Sequence, residues 1–253
     1  MRIALCQFDM VWEDKKANQD KITGLLEAGP AKNYDWVIFP EMTLSGFSMA
    51  PDKATLDASD LGFFSALARK HHTHISFGGV QSGLNKLITM DPAGAIISNY
   101  AKIHLYSFGG EDKTYKPGSQ QDCFRLQELN VVPAVCFDLR FPYLFWNQAR
   151  RADLFVVIAS WPARRAQHWM RLLQARAIEN QSYVVGVNRT GNDPLLEYNG
   201  NSMIFDPLGK VVLDCEDQEG LFVSDVAVDK ATVLKIRDRF PFINDRRSDM
   251  TFA

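Results

Sequence analysis

Glu41, Lys102 and Cys136 each stand at or just beyond the end of an apolar run. Glu41 follows Trp36-Val37-Ile38-Phe39-Pro40, and Lys102 follows Ile96-Ile97-Ser98-Asn99-Tyr100-Ala101. Cys136 closes Val131-Val132-Pro133-Ala134-Val135 and opens the turn Phe137-Asp138-Leu139-Arg140-Phe141-Pro142. Loops at strand ends can converge on one pocket while a rigid sheet holds their bases. A free thiol, with a pKa of about 8.5, is only a few per cent thiolate at neutral pH. A carboxylate beside it cannot lower that pKa, because like charges repel; it acts by accepting the proton. A nearby ammonium then supports the thiolate and, later, an oxyanion on the substrate. These residue types therefore make a base, an electrostatic stabiliser and a nucleophile without any histidine. Singly, each also has a plain structural role: a small buried apolar group for the cysteine, a turn or helix-start charge for the glutamate, a surface cation for the lysine.

The elements that must position them alternate between β-like and helical runs, the pattern of an α/β protein. Strands are predicted over 2–8, 36–39, 75–80, 86–90, 95–100, 131–136, 154–159 and 183–188. Helical spacing marks about 14–28, with Ile22, Leu25 and Leu26 on one face, and about 60–70, with Leu61, Phe64, Leu67 and Ala68. Further helices are predicted over 142–151, 166–180 and about 229–240. Gly29-Pro30 stops the first. Asp91-Pro92-Ala93-Gly94 and Asp206-Pro207-Leu208-Gly209 are turns of one spelling, each expected to join two antiparallel strands. The ordered similarity points to two related β-sheet halves facing one another, with helices outside.

Composition excludes several classes. Of the 253 residues 46% are apolar and 23% charged, the balance of a soluble globular protein and not of a disordered one. A net charge of −2 provides no basic field for nucleic acid or an anionic membrane. The longest strongly apolar run, 154–159, is far too short to span a bilayer, and Asp9 comes too soon for a signal peptide. Cys6, Cys123, Cys136 and Cys215 lie far apart without a Cys-x-x-Cys pair, which fits reduced thiols in the cytoplasm. No linker divides the chain, so one domain over 1–253 is expected. His71-His72-Thr73-His74 reads as a solvated helix end and not a metal site, since adjacent histidines diverge and no cysteine or carboxylate completes the set. Gly78-Gly79 and Gly109-Gly110 lack the lysine and helix of a phosphate loop.

Phe39-Pro40-Glu41-Met42, Tyr100-Ala101-Lys102-Ile103-His104-Leu105 and Val135-Cys136-Phe137-Asp138-Leu139-Arg140-Phe141-Pro142 stand in an order and spacing that resemble the nitrilase (carbon–nitrogen hydrolase) superfamily. Ser160-Trp161-Pro162-Ala163, His168-Trp169 and Arg176-Ala177-Ile178-Glu179-Asn180-Gln181 resemble that family's downstream segments. The resemblance covers essentially the whole chain and is nearest to the bacterial ω-amidase group. It implies an α-β-β-α sandwich of two facing mixed sheets with helices outside. It also implies pairing through helices into at least a homodimer, with the tail at about 241–253 packing on a partner subunit. In the implied mechanism Glu41 takes the proton of Cys136, whose sulfur attacks an amide carbon. Lys102 and the backbone N–H of Phe137 hold the oxyanion, ammonia leaves, and Glu41 activates water against the thioester. Glu111 matches a second family glutamate that orients Lys102 or aids proton transfer; otherwise it is a loop charge in a polar run. No cofactor and no metal is implied.

An ω-amide of a dicarboxylic acid carries a carboxylate at its far end, so its site needs a cation there. Arg164 and Arg165 follow Trp161-Pro162-Ala163 on what should be a pocket loop, and a guanidinium fits a carboxylate in a bidentate fork. The resemblance favours Arg165, although two arginines opening a helix can also face solvent. Trp161 either walls the pocket or joins the core. Arg140 is expected to anchor the Cys136 turn through Asp138 or Glu179, and His168 to fix the loop or helix start. Tyr106-Ser107-Phe108-Gly109-Gly110 is shorter than in many relatives and leaves the rim least defined. The expected function is a cysteine-dependent amidohydrolase releasing ammonia from a small 2-oxo-acid ω-amide or dicarboxylic acid monoamide. A nitrilase, an N-carbamoyl amino-acid hydrolase and a catalytically idle binding protein of this fold are the alternatives. Activity is expected to rise as Glu41 becomes able to act as a base and to fall when Lys102 loses its proton.

Overall fold

The computed structural model describes residues 1–29 and 34–247, so Pro30 and the end of the expected C-terminal tail lie outside the described residues. The first half runs β1 (Ile3–Gln7), α1 (Lys15–Ala28), β2 (Trp36–Ile38), α2 (Pro51–Ala54), α3 (Ala58–His71), β3 (His74–Gln81), β4 (Leu84–Met90), β5 (Ile96–Ala101) and α4 (Glu111–Thr114). The second begins with β6 (Phe124–Leu126), β7 (Leu129–Val135), α5 (Pro142–Gln148), β8 (Leu154–Ala159), α6 (Ala166–Asn180) and β9 (Tyr183–Asn188). It closes with β10 (Thr190–Asn192), β11 (Glu197–Asn199), β12 (Met203–Phe205), β13 (Val211–Asp214), β14 (Gly220–Val223) and α7 (Lys230–Arg239).

Two six-stranded sheets follow one plan. In the order β14-β1-β2-β3-β4-β5, strands β1, β2 and β3 are parallel and the others antiparallel to their neighbours. In the order β6-β7-β8-β9-β12-β13, strands β7, β8 and β9 are parallel and the flanking pairs antiparallel. The two like-spelled turns occupy the same place in each sheet, between β4 and β5 and between β12 and β13. Asp91 Oδ1 accepts from the N–H groups of Ala93 and Ala95, and Asp206 Oδ1 from those of Leu208 and Lys210, all at 2.9 Å. The duplicated plan is thus visible in the turns that the sequence spells alike.

Alternation along the strands makes both sheet faces apolar, so each sheet needs two covers. Ile3, Leu5, Trp36 and Ile38 of the first sheet pack against Val131, Val135, Leu154, Val156, Ile158 and Val185 of the second in one core. Their neighbours Ala4, Cys6, Val37, Ile75 and Phe77 point the other way, onto Ile22 and Leu26 of α1 and Phe64, Leu67 and Ala68 of α3. On the far side Val132, Ala134, Phe155, Val157 and Val184 meet Leu144 and Phe145 of α5 and Trp169, Leu173 and Ala177 of α6. Fully burying one such side chain contributes about 1.5–3 kcal/mol, so these three layers dominate the fold's stability. The result is helix, sheet, sheet, helix.

Boundaries differ from the sequence reading where side chains stop fitting a strand or helix. The strand expected to end at Cys136 ends at Val135, because Cys136 has φ 47° and cannot continue a ladder. The solvated helix end expected at His71 is partly buried: His71 packs inside the last turn of α3, and His72 caps it in the left-handed region at φ 45°. The β10–β11 hairpin, the short β6 and the strand β14 carry too little apolar alternation to be read from sequence.

Candidate active site

Glu41 leaves β2 through Phe39 and Pro40 and lies against β3. Thr43 Oγ1 donates to Pro40 O at 2.6 Å and accepts from Gly78 N at 2.9 Å. A Cβ at residue 78 would stand 2.5 Å from Met42 N and 2.7 Å from Glu41 Cα, so only glycine lets the two backbones approach this closely. Lys102 is fixed at the end of β5, where its N–H donates to Asn85 O at 2.8 Å and its carbonyl accepts from Gly118 N at 2.7 Å. Glu111 opens α4.

These side chains meet. Lys102 Nζ lies 3.0 Å from Glu41 Oε1 and 3.0 and 2.8 Å from Glu111 Oε1 and Oε2. Asn85 Nδ2 donates to both carboxylates at 2.8 Å. The N–H of Ser160 closes on Glu41 Oε2 at 2.9 Å, and that of Tyr106 on Glu111 Oε2 at 2.6 Å. Glu41, Asn85, Lys102 and Glu111 have no solvent exposure. Buried charges cost several kcal/mol each unless their lone pairs and protons are matched, and here all four carboxylate oxygens have donors. Burial alone would lower the Lys102 pKa, but Glu41 and Glu111 outweigh it and hold the ammonium charged well above the ordinary lysine range. An alkaline fall in activity from Lys102 is therefore displaced beyond the ordinary lysine pKa.

Cys136 opens a 3-10 turn, Cys136–Arg140, with φ in the left-handed region that costs a non-glycine residue about 1–3 kcal/mol. One buried carboxylate holds this strain. Asp138 Oδ2 accepts from Val135 N at 3.1 Å and Tyr100 Oη at 2.8 Å. Its Oδ1 accepts from His104 N and lies 2.9 Å from both that nitrogen and His104 Nδ1. The turn after β7 is so tied to the end of β5 and to the chain just beyond Lys102, across the two sheets. Burial and then the Glu41 charge push the Cys136 pKa up, against a smaller opposing pull from Lys102. The resting group is a thiol that feels the Glu41 charge.

Cys136 and Phe137 line a cavity of about 220 Å³, with Ser160, Trp161, Pro162 and Tyr106 among its walls. Trp161 does both things that its sequence position allows: it is 3% exposed, packs on Trp169 at 5.6 Å between ring centroids, and still lines the cavity. Arg164 faces solvent, while Arg165 enters the cavity wall with Nη2 3.2 Å from Tyr106 Oη. Arg140 departs from expectation. Asp138 is taken by Val135, Tyr100 and His104, and Glu179 pairs with Arg176 at 2.9 Å. Arg176 Nη2 donates to Leu139 O at 2.8 Å and does the anchoring expected of Arg140. Arg140 instead stacks over the Trp161 ring at 4.6 Å and lines the cavity. Burial and the nearby Arg165 charge lower its pKa. His168 Nδ1 lies 3.3 Å from Arg140 Nη2.

Sequence reasoning missed Asn85, His104 and the cavity role of Arg140, and it gave Asp138 the wrong partner. The i,i+3 placement of Arg176 and Glu179 on α6 was a readable sign that Glu179 already had a partner.

The carbon–nitrogen hydrolase model matches residues 2–238, and the chain belongs to that family of hydrolases acting on carbon–nitrogen bonds other than peptide bonds. It is 34% identical over 253 residues to the omega-amidase YafV of Yersinia enterocolitica, covering 97% of this chain and 96% of that one. It is 30% identical over 257 residues to the 2-oxoglutaramate amidase of Bacillus subtilis, covering 98% of each. Among solved structures, XC1258 from Xanthomonas campestris, a CN-hydrolase superfamily protein with an arsenic adduct in its active site, aligns with a TM-score of 0.91 and 34% identity. That alignment covers 100% of this chain and 99% of the other. No helix among the described residues is long and apolar enough to cross a membrane.

Proposed function

We propose that this protein is an ω-amidase that hydrolyses a 2-oxo-acid ω-amide or a dicarboxylic acid monoamide to the acid and ammonia, with Cys136 as nucleophile. What supports the reading is a buried Glu41–Lys102 ion pair whose charges act on the Cys136 thiol, together with a cavity that Cys136 and two arginines line. Glu41 takes the thiol proton as the sulfur attacks the amide carbon. The negative charge moves to the amide oxygen, where Lys102 and the N–H of Phe137 receive it. A single donor of this kind typically lowers the barrier by about 3 kcal/mol. Glu41 returns the proton to the nitrogen, ammonia leaves, and a thioester remains on Cys136. Water then gives its proton to Glu41 and attacks the thioester; the acid leaves as Glu41 returns that proton to the Cys136 sulfur. Glu111 holds Lys102 in place and keeps it charged.

Arg165 and Arg140 receive the far carboxylate, which relieves the repulsion between two neighbouring cations. Trp161 walls that end. The base, cation and nucleophile come from the chain itself, so the reaction requires no cofactor or metal. The chain works as one domain over 1–253, in the cytoplasm, as a homodimer or larger homo-oligomer. The relatives named as omega-amidase and 2-oxoglutaramate amidase support the substrate class.

Ammonia release from 2-oxoglutaramate and succinamate, set against butyramide, a nitrile and an N-carbamoyl amino acid, tests the reading. A preference of 100-fold or more, roughly that of one charge-assisted carboxylate contact or two, is expected for the carboxylate-bearing amides. Equal rates with butyramide overturn the ω-amidase assignment and leave amidase chemistry intact. Preference for the nitrile or carbamoyl compound moves the protein to another branch of the family.

A further inference from the structure

The β10–β11 hairpin lies outside both large sheets, yet Asp193, Leu195, Leu196 and Tyr198 from it line the same cavity as Cys136. A two-stranded ribbon is marginal by itself, so something else must fix its place. Arg189 does. Its side chain is fully buried, with Nε donating to Thr190 O at 3.0 Å. Its Nη2 donates to Met10 O at 3.1 Å, Asn192 O at 3.0 Å and Asp9 Oδ1 at 3.2 Å. The guanidinium also lies 4.6 Å from the centroid of the Tyr198 ring. Gly191 has φ 77°, and a Cβ there would stand 1.9 Å from Asp9 Oδ1, so no side chain fits between hairpin and Asp9.

The tip is shaped from within. Asp193 Oδ1 accepts from the N–H groups of Leu195 and Leu196 at 2.7 Å, and Oδ2 from Tyr198 Oη at 2.5 Å. These bonds occupy the Asp193 carboxylate and leave apolar side chains to face the cavity. Leu195 is 90% exposed, the highest value among the large apolar residues described. A buried cation is costly and is kept only when several acceptors converge on it. Here they converge beneath a ribbon whose tip bears two leucines over the reacting thiol's cavity.

We propose that this hairpin is the specificity wall of the site: Leu195 and Leu196 set the acyl-chain length that the cavity accepts, and Arg189 is the positioning residue that holds them there. The inference rests on the amidase reading and assigns the substrate's chain length to named residues. A methylene too many in an apolar pocket costs about tenfold or more in kcat/KM.

The test is a series of dicarboxylic acid monoamides, from malonamate through succinamate and glutaramate to adipamate, assayed by ammonia release. In the wild type kcat/KM peaks at one length and falls about tenfold for the next longer amide. Leu196→Ala raises the ratio of longer to shorter substrate about tenfold, and Leu196→Trp lowers it. Arg189→Met flattens the profile toward equal kcat/KM, and Arg189→Lys, which keeps the charge but fewer acceptors, restores part of it. A length profile that keeps its shape in both Leu196 variants overturns the wall. Uniform loss at every length in Arg189→Met, with the profile intact, overturns the positioning role. If no amide releases ammonia, the amidase reading fails, and the wall is judged by alkylation of Cys136. The rate ratio of N-butyl iodoacetamide to iodoacetamide then rises in Leu196→Ala if the wall exists and stays constant if it does not.

Discussion

In the buried floor of the site, beneath the cavity's own lining, Glu41, Lys102 and Glu111 are sealed from solvent, and each carboxylate oxygen meets a donor from another element. At the cavity wall Arg140 and Arg165 rest on the faces of Trp161 and Tyr106, at 4.6 and 5.7 Å. The floor draws on β2, β4, β5, α4 and the end of β8, so no member can move without leaving a buried charge unpaired. The arginines are held by stacking and single polar contacts. On the proposed function, such a division puts fixed charges where bonds change and less tightly held cations where the far end is recognised.

The largest effects are expected at the floor. Cys136→Ala should lower ammonia release by at least about 10⁴-fold, the scale of losing a nucleophile, measured by single-turnover assay. Lys102→Met should cost about 10³-fold in kcat. It should also destabilise the fold by about 3–5 kcal/mol in urea denaturation, because Glu41 and Glu111 then face one another without a cation. Loss of activity with unchanged stability would mean that the buried charges do not depend on Lys102.

Asp138→Asn probes the frame beneath the nucleophile. An amide in place of the carboxylate turns a donor toward Tyr100, Val135 or His104, which already donate. A fall of about 10² in kcat with little change in KM is expected from a displaced Cys136 turn. At the arginines the effect is smaller and selective. Arg165→Met and Arg140→Met should each reduce kcat/KM on 2-oxoglutaramate by about 10–100-fold, the value of a charge-assisted contact, and on butyramide by less. The larger of the two losses identifies the principal carboxylate partner. Equal losses on both substrates would make the arginines structural.

The weakest effect concerns pH. Cys6, Cys136 and Cys215 all have thiol pKa values pushed up, chiefly by burial. The folded state therefore holds protons that the unfolded chain releases above about pH 8.5. Stability should be complete below that pH and decline as pH rises through the folded pKa values, with Cys136→Ala flattening part of the decline in thermal melts. Lys102 acts in the same direction but only above the ordinary lysine value of about 10.4. No loss of activity from its deprotonation is expected below that point.

The floor was legible in sequence except for Asn85, and the wall only at Trp161 and Arg165, for a physical reason. Glu41, Lys102 and Cys136 sit where apolar strands end, and strand ends can be read from runs of Val, Ile and Phe. Their chemistry is written in residue type. The two sheets were equally visible in their alternating strands and in the paired Asp-Pro turns. The role of Arg140 depended on which partners were already taken, and those contacts join residues far apart in the chain: Asp138 with Tyr100, Arg176 with Leu139. Asn85, a polar residue within β4, joins the floor through contacts with Glu41 and Glu111 from different elements. The hairpin carrying Leu195 and Leu196 has little periodicity at all, and its place follows from Arg189 beneath it.

The central claim is that Cys136 carries the acyl group. Rapid acid quench of the protein with 2-oxoglutaramate, followed by intact-mass and peptide analysis, measures this directly. The expected result is an adduct equal to the substrate less ammonia, confined to the Cys136 peptide and absent in Cys136→Ala. Ammonia release at full rate with no adduct at any quench time, or with the adduct on another residue, would contradict it.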